Sequence, residues 1–154
     1  TAYEIMPSLV GSEMCIRDRI VAGAKEVGRD PASIDIACML IVRLTDDPAR
    51  MMPSLKERMV RLLAERFVGE VLLEHGGFDP SILLPLRAAA ESRGEQAAVH
   101  FITDAIVEAF YLLGDASVCR QRIVEYREAG VDNPLLLPRL EDYENVVVSL
   151  GSRA

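Results

Sequence analysis

Residues 102–138 read ITDAIVEAFYLLGDASVCRQRIVEYREAGVDNPLLLP. AFYLLGD (109–115) is a short apolar run that stops at Gly114-Asp115, as a strand does before a turn. From Ala116 to Ala129 the apolar residues Cys119, Ile123 and Tyr126 fall on one helical face and the charges on the other. AGVD (129–132) is a helix stop and turn, and NPLLLP (133–138) is a buried strand held between prolines. Strand, helix and strand in this order specify a parallel βαβ unit.

A third strand lies upstream. IDIACMLIVRLT (34–45) is rich in β-branched residues and apolar on both faces, the pattern of a strand covered on both sides. Before it, IVAGAKEVG (20–28) reads as the end of a helix with Gly28 as its stop. After it, Asp46-Asp47-Pro48 is a helix start, with aspartate as cap and proline in the first turn. Met52, Leu55, Met59 and Leu62 then form an apolar stripe, which Pro53 is expected to kink or restart. The pattern runs on weakly through Leu73 and ends at His75-Gly76-Gly77. Asp79-Pro80 repeats the start signal for a helix over 80–92, another is expected over 95–109, and a last one over 139–150. These helices exceed a minimal crossover, so the connection between the first two strands carries an insertion. The expected fold class is α/β with about three parallel strands and many helices.

Composition sets the outer limits. The chain has 154 residues, half of them hydrophobic and 27% charged, enough for a buried core. Its formal net charge of −7 argues against a nucleic-acid surface. No apolar run reaches the ~18 residues of a membrane span. Three irregularly spaced cysteines fit a reducing, cytoplasmic setting rather than a disulfide scaffold.

The opening segment Thr1 to Arg19, TAYEIMPSLVGSEMCIRDR, differs in composition from the rest. It resembles the in-frame translation of a transposon-type sequencing-library adapter. TAYE back-translates to ACG GCA TAC GAG, and LVGSEMCIRD to CTC GTG GGC TCG GAG ATG TGT ATA AGA GAC, with index-like residues between. The expected organisation is therefore 1–19 as a non-native segment and 20–154 as protein, with any natural start lying upstream.

AGAKEVGRDPASIDIA (22–37), the strand ending in TDDPAR (45–50), and residues 102–138 together resemble the C-terminal part of the luciferase-like, flavin- or deazaflavin-dependent oxidoreductases. The resemblance implies the C-terminal portion of a TIM (β/α)8 barrel, since a whole barrel needs at least ~200 residues. It implies that 34–44, 110–113 and 134–137 are the sixth, seventh and eighth strands. It further implies a parent oxidoreductase or monooxygenase acting on a small organic substrate with FMN or 8-hydroxy-5-deazaflavin, homo-oligomeric as such barrels often are. Most cofactor contacts of the family lie on earlier strands, so the fragment alone is expected to be inactive and to hold no cofactor. Two alternatives stay open: a self-standing acidic helical binding module without catalysis, and a different β/α-barrel enzyme with the same closing units.

Under that reading Arg43 and Thr45 end a strand at the barrel mouth. Arg43 offers a planar fork for a carboxylate or phosphate, or else points outward to Asp46 or Asp47. Thr45 doubles as a turn residue. Gly114, before a helix N-terminus, stands where many barrels hold phosphate, although Asp115 placed there reads better as a plain cap. His75 suits a helix C-terminus and His100 has no ligand partners at metal spacing, so no metal site is expected. Cys38 and Cys119 read as core residues.

Overall fold

A computed structural model describes residues 18–151. The expected adapter segment lies outside them except for Asp18 and Arg19, which are helical together with residues 20–26 (α1). The chain divides into two compact units. One is the helical segment Asp47–Phe110. The other, the sheet unit, joins the segment ending at Asp46 to the segment starting at Tyr111.

The sheet unit holds β1 (Ala37–Leu44), β2 (Tyr111–Gly114), α7 (Ala116–Glu128), β3 (Asn133–Leu137) and α8 (Tyr143–Leu150). All pairing is parallel, as the apolar runs required. The strand order, however, is β2-β1-β3. Successive barrel strands pair in sequence order, so consecutive sixth, seventh and eighth positions would have placed β2 in the middle. Instead β1, with eight residues, is long enough to pair on both edges. Its Ile41–Leu44 half runs beside Tyr111–Gly114, and its Ala37–Ile41 half beside Asn133–Leu137. Only Ile41 belongs to both ladders.

Alternation along the strands gives the sheet two unlike faces. Leu40, Val42 and Leu112 pack with Cys119 of α7 and Val146 of α8, and Ile123, Tyr126, Leu136 and Leu150 close around them. The opposite face carries Met39, 70% exposed, with Leu135 at 52% and Leu137 at 49%. Backbone bonds tie the start of β3 to the residue before β1. Asp132 N and Asn133 N donate to Ile36 O at 2.9 and 3.0 Å, and Ile36 N donates to the Asp132 carboxylate at 2.9 Å. Since alternate residues of a strand face alternate neighbours, Asn133 aims its N–H at β1 and Pro134 falls at an outward position. A proline there removes a donor from the open edge.

Helices before and after β1 start and stop as their local chemistry directs. Gly28, at φ +67°, ends α1. In the helical unit, α2 (Pro48–Ala64) begins at Asp47, whose carboxylate accepts from Arg50 N at 3.2 Å. The helix runs through Pro53, so of the two expected outcomes a restart does not occur. Its buried stripe is Leu55, Met59, Val60 and Leu63, while Leu62 turns partly outward. A turn with Phe67 at φ +67° leads into α3 (Val68–His75). Gly69 is required here, because a Cβ would strike the Leu63 carbonyl oxygen and reach 3.0 Å from Leu83 Cδ2. Arg87 of α4 (Leu83–Arg93) donates to the end carbonyls of α2, Ala64 O at 3.0 Å and Glu65 O at 3.1 Å. The same guanidinium grips both carboxylate oxygens of Glu70 at 2.6 and 2.9 Å.

The single helix expected over 95–109 is broken into α5 (Glu95–Ala98), a 3-10 turn (Val99–Phe101) and α6 (Asp104–Phe110). Thr103 explains the break, because its hydroxyl accepts from Ile106 N at 3.3 Å and so starts a new helix. Buried Ala98, Ile102, Ile106 and Val107 complete the helical core. Ion pairs stitch its rim: Arg61 to Glu95 at 2.5 Å and to Glu57 at 3.1 Å, and Lys56 to Asp104 at 2.5 Å.

Candidate functional site

The three residues singled out from sequence lie together at the C-terminal ends of β1 and β2. Arg43 pairs in register with Leu113 and Leu44 with Gly114; one residue further on, Thr45 N donates to Gly114 O at 2.8 Å. Arg43 is on the face that carries Met39 and Ile41, away from the side packed by α7 and α8. It is only 6% exposed, which excludes a solvated arginine pointing outward. Its Nη1 donates to Val42 O at 2.6 Å, and its guanidinium carbon lies 5.5 Å from the ring centroid of Tyr111. A buried cation costs desolvation, and an aromatic face returns part of that cost.

Sequence reading missed Tyr111. Two residues before Leu113 on a neighbouring strand, it reaches Arg43 only through the register of the sheet. Adjacency of β1 and β2 was expected, but the stagger that sets Tyr111 beside Ile41 could not be read from the sequence.

After Gly114, the start of α7 carries a side-chain cap. The Asp115 carboxylate already accepts from Ser117 N at 2.7 Å and from Val118 N at 2.9 Å, so those N–H groups are satisfied within the chain. The glycine has a packing reason instead. At φ +142°, its missing Cβ would come to 3.0 Å from Val118 Cγ1.

Cys119 is fully buried, and burial pushes its thiol up while Arg122 opposes the rise. A thiol held protonated is a core residue, not a nucleophile. Its Sγ lies 3.7 Å from Gly114 O and 3.8 Å from Leu112 O. Cys38 is half-buried and packs against the same core. His75 closes the last turn of α3, and the His100 ring lies against Phe101 with centroids 4.0 Å apart. Among the described residues no group of three His, Cys, Asp or Glu side chains is arranged to hold a metal ion. Nor is any helix among them long and apolar enough to cross a membrane.

Comparisons with known proteins agree with the resemblance read from sequence. The family model described as luciferase-like monooxygenase matches residues 15–133. A 5,10-methylenetetrahydromethanopterin reductase from Methanolobus tindarius is 29% identical over 115 residues, 73% of this chain and 34% of the relative. The solved coenzyme F420 dependent tetrahydromethanopterin reductase from Methanopyrus kandleri superposes with a TM-score of 0.71 at 22% identity, over 91% of this chain and 40% of that one. That likeness establishes the fold: a helix-rich α/β arrangement with three parallel strands matching part of a TIM-barrel-like structure. The chain spans about a third of the length of the curated relative it matches.

Proposed function

We propose, since the chain belongs to the luciferase-like monooxygenase family, that residues 20–154 are the C-terminal part of a barrel oxidoreductase that uses a deazaflavin on a small organic substrate. The observation that carries this reading is the 115-residue match to a reductase, supported by the fold shared with an F420-dependent one. When bound, a deazaflavin supplies hydride chemistry, while the protein orients the reactants and excludes water.

This chain would contribute one corner of the mouth. Arg43 would hold an anionic group of cofactor or substrate through its planar donor fork. Thr45 lies beside it, fixed by its backbone bond to Gly114. Gly114 marks the strand end and keeps α7 close to it. Alone, the chain lacks the other corners, and its retention of any cofactor is not expected. Thr1 to Arg19 would be adapter-derived, and the parent a cytoplasmic homo-oligomer.

The test is to resequence the source DNA with a different library chemistry and express the complete reading frame. Titration with F420 and with FMN should then show deazaflavin binding, followed by hydride exchange with a pterin or other small substrate. Binding of FMN alone would move the parent to the flavin branch. Persistence of the first nineteen codons in adapter-free DNA would defeat the adapter reading. Cofactor bound tightly by the 154-residue chain would defeat the inactive-fragment reading.

A further inference from the structure

We propose that Ala37 and Met39 form a strand-docking edge, and that its occupant is the strand which precedes α1 in the complete polypeptide. The inference rests on the barrel parent of the proposed function, and it adds the edge, its residues and the segment that meets them.

β1 is paired unequally on its two sides. Thr45 N donates to Gly114 O, so Thr45 and, by alternation, the odd-numbered residues of β1 turn their peptide groups toward β2. Ile36 O accepts from Asp132 N and Asn133 N, so the even-numbered residues turn toward β3. β3 covers its side from Ala37 to Ile41, whereas β2 begins only at Tyr111, opposite Ile41. Below that point Ala37 and Met39 each aim an N–H and a C=O at the β2 side, where no strand among the described residues pairs with them. The Cys38 thiol, with Sγ 3.9 Å from Met39 O, is a weak substitute for an amide donor. Both residues are exposed, Met39 to 70%. Unpaired peptide groups along an exposed edge are a template for another strand.

The topology chooses the occupant. α1 and the connection 29–36 lead directly into β1, which makes α1 the crossover helix of a strand–helix–strand unit whose first strand lies earlier in the polypeptide. The solved relative is matched over 40% of its own length, so its fold continues over further chain. Successive strands of a barrel pair in sequence order. That order is restored when the earlier strand takes Ala37–Leu40, β1 stays central and β3 follows. β2 then belongs to the inserted stretch and covers the upper half of β1 alone. The other side of the lower half is already filled by β3, which leaves the β2 side as the one that can receive a strand.

The experiment expresses the complete reading frame and compares its amide hydrogen exchange with that of the 154-residue chain. In the shorter chain Ala37 and Met39 should exchange fast, while Cys38 and Leu40, turned toward β3, are protected. In the complete protein the Met39 amide should slow by about a hundredfold or more, and that of Cys38 should change far less. Met39→Pro removes a donor from this edge and leaves the β3 ladder intact. It should leave the melting temperature of the 154-residue chain nearly unchanged and lower that of the complete protein by several degrees. Met39 exchanging fast in the complete protein, or slowly already in the 154-residue chain, overturns the assignment. An equal effect of the proline in both chains does the same. Protection that falls on dilution as a dimer dissociates gives the edge to a second copy, and also overturns it. Absence of a longer reading frame sinks the barrel parent as well. Fast Met39 exchange in a complete protein that still binds deazaflavin sinks the edge assignment alone.

Discussion

In the helical unit, Leu55, Met59, Val60, Leu63, Leu73 and Leu86 are all at or below 2% exposure. In the sheet unit, Val42, Leu112 and Cys119 reach the same depth on one face, while Met39, Leu135 and Leu137 on the other stay 49–70% exposed. The helices close a core around their main stripes, while Phe67, Val71 and Leu84 stay more than half exposed. The sheet covers one face throughout; on the other, Arg43, Tyr111 and Leu113 are buried beside β2, and Met39, Leu135 and Leu137 stay open toward β3. The contrast is between a helical core closed around its stripe and a sheet face that stays open along β3.

The sharpest way to test this contrast is to shorten one leucine in each unit. Leu63→Ala should cost about 3 kcal/mol, because its cavity opens in a closed core. Leu135→Ala should cost less than about 0.5 kcal/mol in the isolated chain. Urea unfolding followed by unit-specific amide signals would measure both. Similar costs at the two sites would break the comparison. Gly69→Ala comes next, at about 2 kcal/mol, since its Cβ meets the Leu63 carbonyl and must push α3 away from α2. Its effect should be confined to signals of the helical unit.

Asp115→Ala removes the cap of α7 and should cost about 1 kcal/mol, read in the sheet unit alone. The smallest effect is a pH dependence in the helical unit. The Arg87 guanidinium beside Glu70, aided by backbone N–H groups, pulls its carboxyl down to about 2. Because the folded value lies below the unfolded one, the contribution is present above the ordinary glutamate range. It disappears as pH falls from about 4.5 toward 2. Glu70→Gln should flatten that slope in the unfolding midpoint, and an unchanged slope would assign the pH dependence elsewhere.

Much of the fold was legible because local chemistry determined it. Asp47, Asp79 and Asp115 cap helices where they were expected to, and Gly28 and the glycines after His75 end them. The three strands were legible as continuous apolar runs. Strand order was not, because it depends on which edge of β1 each later strand meets, and parity of hydrophobicity is the same for either edge. The break at Thr103 was hidden inside an apolar period that fits one helix as well as two. At the mouth, Arg43, Thr45 and Gly114 could be named from their places at strand ends. Tyr111 could not, since its relation to Arg43 exists only once the strands are in register.

The bonds joining Ile36 to Asp132 span 96 residues of sequence, and that separation sets a timetable. A closure of this length delays the sheet relative to contacts among neighbouring helices. The helices between Asp47 and Phe110 carry their own core, so they can collapse while β3 is still being made. Thr45 and Gly114, which flank them, meet in the finished sheet. Early collapse of the insertion therefore shortens the search by which β1 finds β2, and the last event is the arrival of β3 along the lower half of the strand that has waited for it.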